Sequence, residues 1–120
     1  KVAVSRALGR VQAEQAGDWF LLHTSASTHE GVVARSLLAA GADVALVTRK
    51  AKDEVRLVSR ACRSAVREGV NLGEMMAGLA SRIGGEGGGH PGAAGWAGDV
   101  PLITAQSGFI ADLSATTREG

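Results

Sequence analysis

The sequence is poor in aromatic residues, proline and cysteine. Its 120 residues include two tryptophans, two phenylalanines, no tyrosine, two prolines and a single cysteine, Cys62. One cysteine excludes an internal disulfide, which favours a reducing compartment, and we expect Cys62 to be an inert thiol. Because aromatic residues make up 3% of the chain and apolar residues 45%, the predicted core consists mainly of alanine, valine, leucine and isoleucine.

Long apolar runs and a strong net charge are also lacking. No run in the sequence approaches the roughly 18 apolar residues that a membrane-spanning helix needs, and no secretory leader pattern is present. We therefore expect a cytoplasmic protein without a membrane partner. The net charge of +1 is too small to indicate nucleic-acid binding by itself, so such binding would require a local basic patch.

Apolar spacing predicts one α/β domain, with a central mixed sheet of about four to five strands flanked by helices. Helices are predicted at residues 2–16, 30–40, 61–68, 72–83 and 103–116, and strands at 18–23, 44–47, 55–60 and 93–96. Ser27 to Glu30 and Asn71 to Glu74 both fit the pattern of a helix capping box. The second and third strands are predicted to form a hairpin. The last helix is predicted to bury Ile103, Phe109, Ile110 and Leu113.

The densest glycine cluster lies between Gly84 and His90, where five of seven residues are glycine. Such a loop lets backbone amides approach and surround an anion, and His90 could add a hydrogen bond or a positive charge. Pro91 would then sharpen the turn. A flexible surface loop is the alternative. No Lys-Ser/Thr pair follows the glycines, and they follow a helix, so neither a Walker A loop nor a Rossmann fingerprint is indicated.

The glycine cluster and the residues that follow it resemble a known protein family. Gly87-Gly88-Gly89-His90-Pro91-Gly92-Ala93-Ala94-Gly95 resembles the GGGH-x-x-AAG signature of the DHHA1 domain. That domain is the substrate-binding, C-terminal half of DHH phosphoesterases. The strand that ends in Ser59-Arg60 and the connection from Glu68 to Glu74 are similar to the same family, most closely to archaeal RecJ-like exonucleases. The resemblance extends over about residues 43 to 96.

The resemblance implies a set of phosphate contacts. They are Ser59, Arg60, Gly87, Gly88, Gly89 and His90. The glycines would present amides to a nucleotide phosphate, and His90 would contact the phosphate near the scissile bond. Arg60 would form a fixed cationic fork on a phosphate, a geometry that lysine cannot copy. Ser59 would donate a hydrogen bond to the same ligand.

The catalytic chemistry of this family requires two metal ions, Mn²⁺ or Mg²⁺, held by a DHH triplet in a separate domain. This sequence contains no Asp-His-His, so we expect the chain to bind no metal or cofactor itself and to hydrolyse nothing alone. Because the sequence begins at Lys1 without an initiator methionine, residues 1–120 are expected to be the DHHA1-type part of a longer protein. The upstream DHH domain would be its partner, and a free-standing DHHA1 protein stays the alternative.

Two further groups of residues have open interpretations. Arg49, Lys50 and Lys52 lie at one hairpin tip, either as a solvated turn or as a rim that attracts a single strand. Trp96 could stack on a base or belong to the core.

The expected ligand is single-stranded DNA, RNA or a short oligonucleotide. The alternative function is the DHHA1-like tRNA-binding or dimerisation domain of alanyl-tRNA synthetases. In those proteins histidine usually does not follow the glycines.

Overall fold

The computed structural model describes residues 2–119, one residue fewer at each end than the predicted domain. The helices are α1 (Val2–Leu8), α2 (Glu30–Ala39), α3 (Arg63–Arg67), α4 (Leu72–Ile83) and α5 (Leu102–Ala115). The strands are β1 (Gln12–Ala16), β2 (Trp19–Ser25), β3 (Val44–Lys50), β4 (Val55–Ala61), β5 (Glu86–His90) and β6 (Ala93–Gly98). They form one mixed sheet in the order β1-β2-β3-β4-β6-β5. The α/β class with a mixed sheet is confirmed, but the sheet has six strands rather than four to five.

The first additional strand is β1, in a region where a single helix over residues 2–16 was predicted. The helix ends at Leu8, and residues 12–16 pair antiparallel with β2. Gly17 and Asp18 form the two-residue connection, and Gly17 has the positive φ, 62°, that such a hairpin turn requires. The Gly-Asp pair was the sequence signal for this hairpin. The prediction followed the helical spacing of the valines and the leucine instead and therefore missed β1.

The second additional strand is β5, which the glycine content led us to expect as a loop. Residues 86–90 are extended and pair antiparallel with β6. The actual turn between α4 and β5 consists of Gly84 and Gly85, with φ of 87° and 82°. Low strand propensity was outweighed here by tertiary contacts, because α4 packs closely against β5.

One of the two predicted capping boxes is confirmed. The Glu74 amide donates to Asn71 Oδ1 at 3.1 Å, at the start of α4. The other is wrong: α2 starts after His29, which has a left-handed conformation (φ 57°) and makes no side-chain cap. The predicted hairpin of β3 and β4 is confirmed, and the Ala51 amide donates to the Glu54 carbonyl at 2.8 Å within its turn.

Two apolar layers cover the sheet on opposite faces. Helices α4 and α5 pack on one face around Trp19, Leu57 and Phe109. Helices α1 and α2 pack on the other face, where Val33 and Val47 are fully buried. The predicted burial of Phe109 is confirmed.

Three other side chains of α5 differ in burial. Leu113 is buried as predicted. Ile110 is partly buried against the core, whereas Ile103, predicted to be buried, is 67% exposed in the first turn of α5.

The C-terminal segment is attached to the sheet through Arg118. Its guanidinium lies 4.3 Å from the centre of the Trp19 ring and forms ion pairs with Glu68 and Asp43. The hydrogen bond to Glu68 raises the pKa of Arg118 above its ordinary value, and the charges of Glu68, Asp43 and Asp18 act in the same direction. The segment after α5 is therefore part of the folded structure.

None of the helices in the described part of the chain combines the length and apolar character needed to cross a membrane.

Candidate phosphate-binding face

Arg60 and His90 lie in one cross-strand row of the sheet. Arg60 of β4 is opposite Ala93 of β6, and Ala93 is opposite His90 of β5. Directly opposite residues in antiparallel strands point to the same face, so both side chains flank the small Ala93. Their backbones are two strand spacings apart, about 9–10 Å. The row therefore has a cation at one end and an imidazole at the other.

The part of the sheet around this row forms an open face, which we define by Arg60, His90, Ala93, Gly88 and Gly95. Gly88 of β5 is opposite Gly95 of β6, and this pair lies two residues along the strands from the His90–Ala93 pair. A Cβ built on Gly88 would have no atom within 4 Å. Helices α1 and α2, which lie on this side of the sheet, pack on β2, β3 and β4. Beyond them, His90 is exposed, and the other four residues of the open face are partly exposed.

The two other predicted glycines of β5 have structural reasons to be glycine. A Cβ on Gly87 would lie 2.3 Å from the Met76 carbonyl oxygen of α4, which no real side chain tolerates. Gly89 has φ of 143°, and its Cβ would lie 2.6 Å from the Ala93 carbonyl oxygen. Of these three glycines, Gly88 is the one that no steric contact among the described residues requires to be glycine.

The amides of these glycines do not converge as they would in an anion-binding loop. In a strand, successive N–H groups point in opposite directions within the plane of the sheet. Because β5 is an edge strand, alternate N–H groups point away from the sheet and are free for a ligand. A single anion at this edge can reach alternate amides, not the whole set.

Two predicted contacts are located away from the open face. Ser59 is 1% exposed on the opposite face, and its hydroxyl donates to the Ala94 carbonyl at 2.9 Å. Trp96 is 2% exposed, and its indole N–H donates to the Gly84 carbonyl at 2.9 Å. Trp96 is thus a core residue whose ring is inaccessible to a base. Ser59 is a structural residue here, because strand alternation turns it away from Arg60.

The basic hairpin tip lies at the other end of the sheet from the row. Arg49 and Lys50 are the last residues of β3, and Lys52 is in the turn that follows. Arg49 is 3.7 Å from Glu30 and is partly neutralised, whereas Lys50 and Lys52 are exposed. These residues do not meet Arg60 and His90.

Two arginines near the row, Arg63 and Arg67, were missed from the sequence, and a third missed arginine, Arg56, lies opposite Arg49 at the hairpin end of β4. Arg56 precedes Arg60 by four residues on the same face of β4, and its i, i+4 spacing on a strand was the available signal. Arg63 and Arg67 are exposed on α3, immediately after β4.

Arginines without an ion-pair partner among the described residues lie at this end of the sheet. Among residues 2–119, the ion-paired arginines are Arg49, Arg82 and Arg118. The arginines around the row therefore have no carboxylate partner in the described part of the chain. Within the same range, no three histidine, cysteine or acidic side chains are grouped so that they could hold a metal ion.

These features define the class of the domain: a mixed-sheet α/β domain with a glycine-floored, basic face at one edge of the sheet. The chain belongs to the DHHA1 family, since residues 20–108 match the model of the DHHA1 domain.

Comparison with known proteins gives one curated relative and many similar folds. The chain is 35% identical over 97 residues to the uncharacterized protein MJ0988 of Methanocaldococcus jannaschii. That match covers 79% of this chain and 29% of the relative, so the chain spans less than a third of the relative's length.

Two solved structures illustrate the range of proteins that share the fold. The C-Ala domain of Aquifex aeolicus alanyl-tRNA synthetase has a TM-score of 0.68 at 22% identity, covering 87% of this chain and 99% of that domain. The structure of the PF0399 DHH domain, from a family of ribosomal proteins, has a TM-score of 0.72 at 14% identity. The match covers 97% of this chain and 30% of the chain of the PF0399 structure. At these identities the similarity concerns the fold alone.

Proposed function

We propose that this chain is the nucleic-acid phosphate-binding domain of a RecJ-like DHH phosphodiesterase, a single-strand exonuclease or oligonucleotidase. The observation that carries the proposal is the row in which Arg60 and His90 flank Ala93 on an open, glycine-floored face. Guanidinium groups without a carboxylate partner are available for charge-assisted hydrogen bonds to phosphate. The absence of a side chain at Gly88 lets the ligand backbone approach the sheet.

The proposal assigns binding to this chain and chemistry to a partner. An upstream DHH domain would supply the Mn²⁺ or Mg²⁺ ions that activate water for phosphodiester hydrolysis. The residues of this chain would hold the strand so that its scissile phosphate faces those metals. Such an enzyme would act in the cytoplasm, in agreement with the single free cysteine.

The proposal is tested by fluorescence anisotropy with a labelled dT6 oligonucleotide. Arg60→Ala should weaken binding about tenfold or more, because hydrogen bonds to charged groups contribute about 1.5–3 kcal/mol. His90→Ala should weaken it about two- to tenfold, the range for an ordinary hydrogen bond. Binding should also decrease with added salt, with a logarithmic slope of about 0.7 per phosphate contact.

Arg35→Ala is the matched control, because Arg35 is exposed on α2 and forms no ion pair among the described residues. It removes the same charge from a residue that is not part of the row and should leave the affinity nearly unchanged. Absence of dT6 binding at low salt, or equal losses in Arg60→Ala and Arg35→Ala, would refute the proposal.

A second candidate function is that of the C-Ala domain, tRNA binding or dimerisation in an alanyl-tRNA-synthetase-type protein. The observation in its favour is that the structural similarity spans nearly all of that domain. Under this alternative, the chain would prefer folded tRNA to dT6, or would sediment as a dimer in analytical ultracentrifugation. A monomer with a preference for dT6 would favour the phosphodiesterase.

A further inference from the structure

A groove of about 460 Å³ lies beside the phosphate row, between α3 and the turn that joins β5 to β6. Its lining consists of Ala61, Arg63, Val66, Arg67, Pro91 and Gly92. Sites that bind small molecules typically have volumes of roughly 300–1,000 Å³, with apolar walls and a few polar groups. This groove fits that description, because four of its six residues carry no polar side-chain atom.

The residues of the groove directly follow those of the row in the chain. Ala61 directly follows Arg60, and Pro91 and Gly92 connect His90 to Ala93. A ligand phosphate held between Arg60 and His90 would therefore have the groove at its side. The next chemical unit of the same ligand would enter the groove at the end of the sheet where β4 and β5 finish.

The walls of the groove are held in place by backbone hydrogen bonds. The Ala61 amide donates to the Gly92 carbonyl at 3.0 Å, and the Leu72 amide donates to the Pro91 carbonyl at 2.9 Å. On the other side, the Cys62 amide donates to the Asp43 carbonyl at 2.9 Å and fixes the start of α3. The groove is therefore present before any ligand binds, which lowers the ordering cost of binding.

The two arginines give the groove its chemical preference. Arg63 and Arg67 are four residues apart on α3 and so lie on one side of the helix. Both are exposed, and neither has a carboxylate partner among residues 2–119. A guanidinium is a planar cation that stacks on the face of a nucleobase, and proteins use it in this way on unpaired bases.

We propose that this groove binds a nucleobase of a single-stranded oligonucleotide, stacked against Arg63 and Arg67 and supported by Val66 and Pro91. The proposal rests on the function proposed above and narrows its substrate class. A chain that held only phosphates would accept polyphosphate and oligonucleotide alike. A base groove next to the phosphate row selects ligands in which a base accompanies each phosphate.

The test compares two probes that carry the same number of phosphates and the same label. One is dT6, and the other is a hexamer of abasic spacers. The wild-type chain should bind dT6 about tenfold more tightly than the abasic hexamer, a difference of the size found for one stacked base. Arg60→Ala should weaken both probes by similar factors, because Arg60 contacts phosphate.

Arg63→Lys/Arg67→Lys separates stacking from charge. This double variant keeps both positive charges but removes both planar groups. It should lose most of the preference for dT6 while keeping its affinity for the abasic hexamer. Arg63→Ala/Arg67→Ala should lose the same preference and also bind the abasic hexamer less tightly, and Arg35→Ala should change neither value. Thermal unfolding of each variant verifies that it is folded.

Three other results would each overturn the base groove or the proposed function. Equal wild-type affinity for the two probes would overturn the base groove while leaving the phosphate row intact. An unchanged preference for dT6 in the double lysine variant would assign the base contact elsewhere and would also overturn the proposal. If the wild-type chain bound neither probe, the proposed function itself would be refuted.

Discussion

At the scale of single residues, the three consecutive glycines of β5 have three different surroundings. Gly87 faces the backbone of α4, Gly89 has a positive φ, and Gly88 faces open space. Sequence alone makes them equivalent, since each is a glycine in the same motif. The structure separates two glycines that the fold requires from Gly88, which no contact among the described residues requires to be glycine.

A pair of alanine substitutions tests this separation. Gly87→Ala places a methyl group 2.3 Å from the Met76 carbonyl oxygen, and such overpacking should destabilise the fold by about 1–3 kcal/mol. Gly88→Ala meets no atom within 4 Å and should change stability by less than about 1 kcal/mol. The Gly88 variant should nevertheless bind dT6 more weakly, because its methyl group occupies the open face. Chemical denaturation and anisotropy measure the two effects, and equal destabilisation by both changes would contradict the assignment.

At the scale of secondary-structure elements, the close approach of α4 to β5 explains how a glycine-rich segment becomes a strand. Gly73, in the first turn of α4, faces the backbone of Gly89. Gly87 faces the helix at Met76. Helix and strand therefore contact each other through backbone rather than side chains. Sequence-based prediction missed β5 because it evaluates each segment by its own propensity. Here the packing of α4 against this segment determines that it forms a strand.

Two glycines of the same helix provide the test at this scale. A Cβ on Gly73 would lie 2.4 Å from the Gly89 carbonyl oxygen, whereas a Cβ on Gly78 would meet only the Arg82 guanidinium at 3.5 Å. Alanine is favoured over glycine in a helix by about 1 kcal/mol. Gly78→Ala should therefore raise Tm. Gly73→Ala should lower Tm despite the same gain in propensity, because the backbone of β5 cannot move without separating from β6.

These Tm values come from thermal unfolding followed by circular dichroism at 222 nm. A stabilising Gly73→Ala would mean that α4 and β5 are farther apart than the structure places them.

At the scale of the whole molecule, Arg118 connects distant parts of the chain. It contacts Trp19 at the start of β2, Asp43 before β3 and Glu68 at the end of α3. The Arg118 amide also donates to Asp18 Oδ2 at 2.8 Å. Arg118 thereby holds together the end of the sheet from which α3 and its groove emerge.

Arg118→Ala should lower Tm, because one substitution removes the ion pairs and the contact with the Trp19 ring. Arg118→Lys should recover only part of the loss, since lysine lacks the planar group that lies over the indole. The loss should be smaller in high salt, which screens the exposed ion pairs. Arg35→Ala is again the control, and an equal fall in Tm for Arg35→Ala and Arg118→Ala would disprove the role of Arg118.

The sequence by itself determined the α/β class, the β3–β4 hairpin, the cap at Asn71 and the GGGH motif that identifies the family. These features depend on residues close together in the chain, through spacing, turns and local hydrogen bonds. Tertiary structure alone decided that the glycine segment is an edge strand, that Ser59 and Trp96 are buried, and that Arg60 faces His90 across Ala93. The physical reason is that strand register and helix packing join residues thirty positions apart, and no local pattern encodes which face of the sheet remains uncovered.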